Sequence, residues 1–448
     1  MPTTDCIAQA KFNFQGQSRR IEVAASAPAV SSDGGALALR RIDDAMGLTR
    51  ALAAVVGDPR NPLYVVHGRE EQLRQRIYQI ALGYEDCNDA ERLRTDPVLQ
   101  VVCTGKEPQA LSSQPTLSRL ENAVGGRDLR QLWRVLEDLY VQSLSPDSSL
   151  VVLDIDATDD PTHGQQELAF FHGFYDQHMF HPLLVFDGKT GQLISGLLRP
   201  GRAHAARGSK SMLRRLIRAI RARCPHADIV VRGDSAFAMP RLLDVLERLN
   251  AELGNVWYVI GLAQNPRLIS LAKPSMDRAR DEHEAFGRHV RRFAWLDYAA
   301  QTWLHPRKVV LKAEHADRGA NPRFVVTNID WTDPRSIYDG SYIPRGQAEN
   351  FIKDFKNALR ADRLSCHRFV ANAFRLLLHA AAYALMHALR GAVAAHDDAL
   401  GRAQMDTLRL RLLKVGAIVR ISVRRVTVSL SRSFAAWPVL AALLSTSS

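Results

Sequence analysis

The chain is short of several things, and each shortage excludes a class of protein. Its five cysteines (Cys6, Cys87, Cys103, Cys224 and Cys366) are scattered, and no two stand in a CxxC spacing. That excludes a disulfide framework and a cysteine-based zinc site, and it fits a reducing compartment. No uncharged apolar run reaches membrane-spanning length. The most apolar stretch, residues 374–389, is interrupted by Arg375, His379 and His387 and reads as a buried helix. The opening "MPTTDCIAQAKFNF" lacks the basic-then-apolar layout of a secretory signal, so a cytoplasmic, nucleoid-associated protein without a membrane partner is expected. Internal repeats, low-complexity tracts and obvious linkers are absent as well. Acidic residues are outnumbered, 47 against 59 lysines and arginines, for a net charge of +12. This balance favours a polyanionic partner, nucleic acid first.

What is present is an ordinary globular composition, 46% hydrophobic and 24% charged over 448 residues, enough for two or three domains. Residues 1–30 read as a short β-prone arm. From Gly34 to about Ser145 the apolar periodicity is helical, with two short helices divided at Gly47, an "EQLRQRIYQIALGY" helix and a "DLRQLWRVLEDLYVQSL" helix, and with arginines on exposed faces. DNA binding fits this region, although a helix–turn–helix rests there on little more than the glycine between two short helices. At Leu150–Ile155 the pattern changes to a run typical of a strand buried on both faces. A hairpin follows around "DGKTG", then a helix over 209–223, a strand "ADIVVRGD", a helix, and a strand "VWYVIGLAQN". About eighty residues of mixed β character come next, then a long helix and alternating basic strands near 417–430.

Two of the buried strands end in aspartate. Asp154 and Asp156 lie two apart, so both can point to one sheet face, and Asp234 directly follows Gly233. Buried carboxylates are costly unless paired or bound to a cation. For each aspartate alone, capping of the next helix is the simpler account. Together with a third carboxylate they make a hard-oxygen site suited to Mg²⁺ or Mn²⁺. The segment 199–223 carries nine Arg/Lys and no acid. Its helix sets Lys210, Arg214, Arg218 and Arg221 on one face, which is equally a solvated face or a phosphate-binding stripe.

The third carboxylate is suggested by "YIPRGQAENFIKDFK", residues 342–356. At about 100° per residue, Arg345, Glu349, Lys353, Lys356 and Arg360 share one arc, and Ala348, Phe351, Ile352, Phe355 and Leu359 fill a separate, apolar one. Pro344 suits a first helical position, which places Tyr342 just before the helix. A surface helix whose glutamate is balanced by i,i+4 partners explains part of this pattern. Histidines 163, 172, 178 and 181 match no zinc spacing and read as loop and hairpin residues.

The order of elements and the strand-end aspartates resemble the ribonuclease-H-like core of a DDE transposase of a bacterial insertion sequence. "DIDAT" resembles that family's first aspartate motif, selecting Asp156 with Asp154 in reserve, and "RGDSAFA" resembles the second, selecting Asp234. Tyr342, Arg345, Glu349 and Lys356 stand in the spacing Y-(2)-R-(3)-E-(6)-K of the signature around the third carboxylate. The phrases "DPTHGQQE", "PLLVFDGKTGQL" and "LRPGRAH" resemble the insertion-sequence thirteen-eighty branch, and the likeness spans most of the chain.

The resemblance implies an α/β protein with a ribonuclease-H-like catalytic core (146–262 and 336–395) and a β-rich insertion (263–335). A mostly helical DNA-binding region (1–145) precedes them, and a C-terminal helix with basic strands (396–448) serves dimerisation or DNA contact. It implies that Asp156, Asp234 and Glu349 hold two Mg²⁺, with Mn²⁺ able to substitute. Tyr342, Arg345, Lys353 and Lys356, joined by Lys210, Arg214 and Arg218, would meet DNA phosphates. The partners implied are double-stranded DNA, both terminal inverted repeats and target, and a second copy of the chain. The 114 residues between Asp234 and Glu349 match the insertion of relatives that cut through a DNA hairpin, where a tryptophan stacks on a flipped base. Trp295, Trp303 and Trp331 are the candidates, and burial is the simpler role for each. A nuclease of the same core that cuts without strand transfer, and a non-catalytic DNA-binding derivative, are the alternatives.

Overall fold

The computed structural model of the protein describes residues 9–12, 21–26, 28–104 and 108–445. Cys6 and most of the N-terminal arm lie outside them; the rest of the arm contributes paired strands at Gln9–Phe12 and Ile21–Ala24. The fold is mixed α/β, organised on one large sheet. Its main strands are β1 (Leu150–Ala157), β2 (Leu183–Asp187), β3 (Leu193–Leu197), β4 (Asp228–Gly233), β5 (Val256–Leu262), β6 (Val290–Tyr298), β7 (Arg307–Ala316) and β8 (Arg323–Thr327). They lie in the order β6-β7-β8-β5-β4-β1-β2-β3. β4 runs parallel to β1 and to β5, while β2 is antiparallel to β1 and β3 to β2.

The strands after β5 extend this sheet, because β8 pairs antiparallel with β5. The eighty-residue β reading is also corrected at its start, where Pro266–Phe286 is a helix. Asn265 caps it by accepting from the Leu268 N–H at 3.0 Å, and Pro266 occupies a helix-opening position. Pro274 lies inside this helix.

Side-chain alternation along β1 sorts the molecule into layers. Val151, Leu153 and Ile155 pack under the helices Ser209–Arg223, Pro240–Leu253 and Pro266–Phe286. The other face, including Leu184, Phe186 and Leu193, is covered by the helix Phe369–Ala394 and by the N-terminal helices. Phe369–Ala394 is long and apolar enough to cross a membrane, yet it is buried inside this core.

The N-terminal helices Ala36–Met46 and Leu48–Val55 are divided at Gly47, whose φ of +66° favours glycine. In the helix Arg69–Ala81, however, Arg74 and Arg76 are buried and not on an exposed face. Glu121 takes Arg76 Nε at 2.9 Å and, from the long helix, Arg375 Nε at 2.7 Å. Arg74 pairs with buried Asp43 at 3.3 Å. The cause is position: this helix is surrounded by others, so its polar face is covered too. The N-terminal layer and the sheet therefore share one core across residue 145. At the C-terminal end, Ala417–Ser422 and Arg425–Leu430 form a hairpin that adds Val30–Ser31 as a third strand.

Candidate active site

Asp154 and Asp156 do face one side of the sheet, but they meet different partners. Arg232 on β4 stands in register with Asp154 and donates two bonds to it, at 2.6 and 2.7 Å, in a fully buried pair. It also donates to the Ser341 carbonyl at 3.1 Å, tying β4 to the segment that leads to Glu349. Asp154 is thereby occupied, and its reserve role falls away. Asp156, one position pair nearer the strand end, is 8% exposed. One of its oxygens accepts from the Ala157 N–H at 2.8 Å, and the other faces Arg345 at 3.4 Å. Asp234 caps the turn Ser235–Phe237 through the Ala236 N–H at 2.9 Å. Capping uses one oxygen, so the helix-cap and functional readings of this residue are compatible.

Glu349 arrives on a helical segment of unequal turns: wide π-type turns over Ser336–Tyr342, a tight 3₁₀ stretch Ile343–Gly346, the α-helix Gln347–Lys353, and π-type turns again over Asp354–Ala358. The expected start at Pro344 is corrected. Asp333 caps the segment by accepting from the Arg335 and Ser336 N–H groups at 3.0 Å each, so Tyr342 lies within it. Ala348, Ile352, Phe355 and Leu359 are buried as the periodicity predicts. The basic arc is not uniform, because turn width alters the angle between residues. Arg345 and Lys356 are largely covered, Glu349 and Lys353 are exposed, and Arg360 leaves the helix at φ +56°. The Phe351 ring rests on the turn at Gly191, where an added Cβ would come within 2.6 Å of it.

Asp156, Asp234, Arg345, Glu349, Lys353 and Lys356 line one open cavity of about 410 Å³. Arg345 sits between two carboxylates, 3.4 Å from Asp156 and 3.9 Å from Glu349, with Tyr342 beside it. Burial, and then the charge of Asp234, push the Asp156 carboxyl up to about 6, although Arg345 pulls the other way. Lys356 is held by Asp159, donating to its carboxylate at 2.9 Å and its carbonyl at 3.0 Å. Burial works to raise Asp159, but Lys356 outweighs it and keeps that carboxyl low.

Lys210, Arg214 and Arg218 do not join this group. Their helix packs on the Leu153/Ile155 face, opposite the face that carries Asp156, and Arg218 pairs with Glu252 at 2.8 Å. Arg221 on the same helix holds loop carbonyls at Cys224, Pro225 and Gly254.

The three carboxylates are hard-oxygen donors, and Asp156, raised first by burial and then by the Asp234 charge, is a group whose ionised form a cation would favour. Among the described residues no three His, Cys, Asp or Glu side chains stand close enough to hold one ion. In this state Arg345 supplies the positive charge and Glu349 points outward, its side chain 62% exposed. The donor chemistry fits divalent cations once Arg345 yields to them. A pH dependence follows. Were Asp156 a cation ligand, a cation would have to displace its proton below about pH 6, and Mn²⁺ affinity would fall up to about tenfold per pH unit there and level off above it. Calorimetric titrations at pH 5, 6 and 7.5 check this; a flat profile would remove Asp156 from the ligand set.

Three contributors escaped sequence reasoning: Arg232, Tyr175, whose side chain lines the cavity, and Gly261. Arg232 had a signal, a charge inside an otherwise apolar strand. A Cβ at Gly261 would lie 2.5 Å from the Tyr342 hydroxyl and 3.1 Å from the Ser235 nitrogen. Gly261→Ala is therefore expected to displace Tyr342 and the Asp234 turn and to lower turnover about 10- to 100-fold with a normal melting profile. Full turnover in that variant would show that the site tolerates the shift. Of the tryptophans, Trp295 and Trp303 are half-buried, whereas Trp331 is 61% exposed, against the simpler expectation, with its ring 4.3 Å from that of Trp257. It lies beyond β8, where no layer covers it.

A family model described as transposase DDE domain, group 1, matches residues 14–446. No curated protein matches the chain. Among solved structures, it is similar to a piggyBac transposase synaptic complex with hairpin DNA, seen by cryo-EM. The two are 11% identical with a TM-score of 0.47, over 86% of this chain and 81% of that one.

Proposed function

Because the chain belongs to the group 1 transposase DDE-domain family, and so is a DDE-type DNA transposase, we propose that it binds the terminal inverted repeats of an insertion sequence, excises the element and joins the freed 3′-hydroxyls to target DNA. Asp156, Asp234 and Glu349 are the carboxylates of this reading, and they would hold two Mg²⁺. Ions bound there supply activation of a water or 3′-hydroxyl and relief of charge on the leaving oxygen. The observation that carries the reading is the convergence of all three carboxylates and Arg345 on one cavity from strands and a helix far apart in sequence.

The chain's own residues then divide the work. Arg345, when displaced from Asp156, is free to take a phosphate oxygen, and exposed Lys353 meets the backbone beside it. Tyr342 fixes Arg345 in place, and Lys356 reaches phosphate only by exchanging Asp159. The strand order β3-β2-β1-β4-β5 supports a ribonuclease-H-like core, with the later strands as an insertion that widens its sheet. Exposed Trp331 is the tryptophan of the insertion best placed to stack on a base. A homodimer supplies the two active sites that paired ends require.

The test is incubation of purified protein with a labelled duplex carrying an element end, with Mg²⁺ or EDTA, alongside Glu349→Gln. Mg²⁺-dependent cutting and joining by the native protein, with cutting lost and binding kept in the variant, is the expected result. Cutting without joining would leave a nuclease, and full activity of Glu349→Gln would sink the assignment.

A further inference from the structure

We propose that the hairpin of residues 170–180 and the loop of residues 199–208 form one platform that holds an unpaired stretch of DNA strand beside the carboxylate cavity, with Phe174 stacking on a base and Arg202 and Arg207 meeting phosphates. This inference rests on the reading that the chain acts on DNA.

The hairpin is inserted between β1 and β2. Its strands Phe170–His172 and Gln177–Phe180 pair antiparallel around a sharp tip where Asp176 takes φ +52°. Gln177 donates to Asp159 at 3.0 Å, so the hairpin is anchored to the same aspartate that holds Lys356. The tip carries Phe174 at 85% exposure, and Phe171 is 45% exposed. Tyr175, which lines the cavity, meets the Phe174 ring edge-on with centroids 5.0 Å apart.

The loop is fixed against this hairpin from inside. Buried Arg199 donates to the carbonyls of His181 at 2.6 Å, His204 and Arg207 at 3.1 Å, and Ala205, with no carboxylate among its partners. The backbones approach so closely at Gly201 that a Cβ would lie 2.2 Å from the Met179 carbonyl oxygen. Arg202 lies over the Phe170 ring at 5.0 Å. Arg202 and Arg207 are exposed. The loop itself contains three arginines and no acid.

An open aromatic face beside exposed guanidiniums suits a nucleic-acid strand whose bases are unstacked, because every base offers a π-face and every linkage an anion. A paired duplex hides its base faces and would use only the arginines. The platform therefore discriminates strand from duplex, and Tyr175 continues it to the cavity.

Fluorescence anisotropy with the full chain tests this on two labelled probes, a blunt duplex carrying an element end and the same duplex extended by about ten unpaired nucleotides. Phe174→Ala, and the Arg202→Ala/Arg207→Ala pair, are expected to weaken the extended probe about 5- to 100-fold relative to the blunt one, and Phe174→Trp to restore it. Equal weakening on both probes, or none, overturns the platform. Native protein that binds neither probe overturns the DNA reading with it, whereas native cleavage of the blunt end with unchanged probe binding in the variants overturns the platform alone. Loss of a dimer in Phe174→Ala by sedimentation, with probe binding intact, would assign the face to a second copy instead.

Discussion

Asp156→Asn is expected to lose cleavage by on the order of 10³-fold or more while becoming harder to unfold. On the proposed reading, the loss follows from removing a charged donor from a site whose cations would stabilise the transition state by several kcal/mol. The gain follows from the environment of the carboxylate. Burial and the Asp234 charge raise its folded pKa from 3.8 to about 6, so the folded chain prefers the protonated form. Stability is therefore highest below the unfolded value and is lost as pH rises between about 4 and 6. At pH 7 the ionised group costs up to about 3 kcal/mol, which the neutral amide removes. Cleavage assays beside urea unfolding at pH 7 measure both effects. A variant that is inactive and less stable would mean that Asp156 is a structural residue, and an active variant would remove it from the chemistry.

Glu121→Ala is expected to act in the opposite sense, lowering stability by about 3–5 kcal/mol. Its carboxylate is 1% exposed and is the shared partner of Arg76 and Arg375, both buried. Burial works to raise Glu121, but the two guanidiniums outweigh it and hold the carboxyl low. Its contribution is thus present above the ordinary glutamate range and is lost as pH falls through the lower folded value. Removing it leaves two buried cations facing each other. Replacing all three residues with apolar ones of similar volume is expected to recover most of the loss, since the pairing mainly offsets desolvation. Denaturant titrations of both variants check this, and a Glu121→Ala change under 1 kcal/mol would show that water reaches the cluster.

The core strands and the hairpin at Gly191 were legible from apolar runs and a turn residue, whereas Asp156, Asp234 and Glu349, which line one cavity, were singled out only by the motifs of the resemblance. What was not legible depends on neighbours. The burial of Arg74 and Arg76 follows from which helices surround theirs, which helical periodicity does not encode. Lys210, Arg214 and Arg218 form the predicted stripe, but the stripe lies on the wrong layer, because one sequence pattern serves either face of a sheet. Asp154 looked equivalent to Asp156 until strand adjacency delivered Arg232 to it. The unequal turns before and after Glu349 left Arg345 and Lys356 covered where a uniform helix would expose them.

The core shared by the N-terminal helices, the long Phe369–Ala394 helix and the sheet bears on how such a chain can change over time. Proteins assembled from separable modules acquire new partners by exchanging one module for another. Here an exchanged N-terminal portion would have to reproduce the apolar contacts of the long helix and supply a partner for Arg375. An exchange that broke these contacts would open the shared core, so a new partner is more readily gained by substitution on the surface of a retained scaffold.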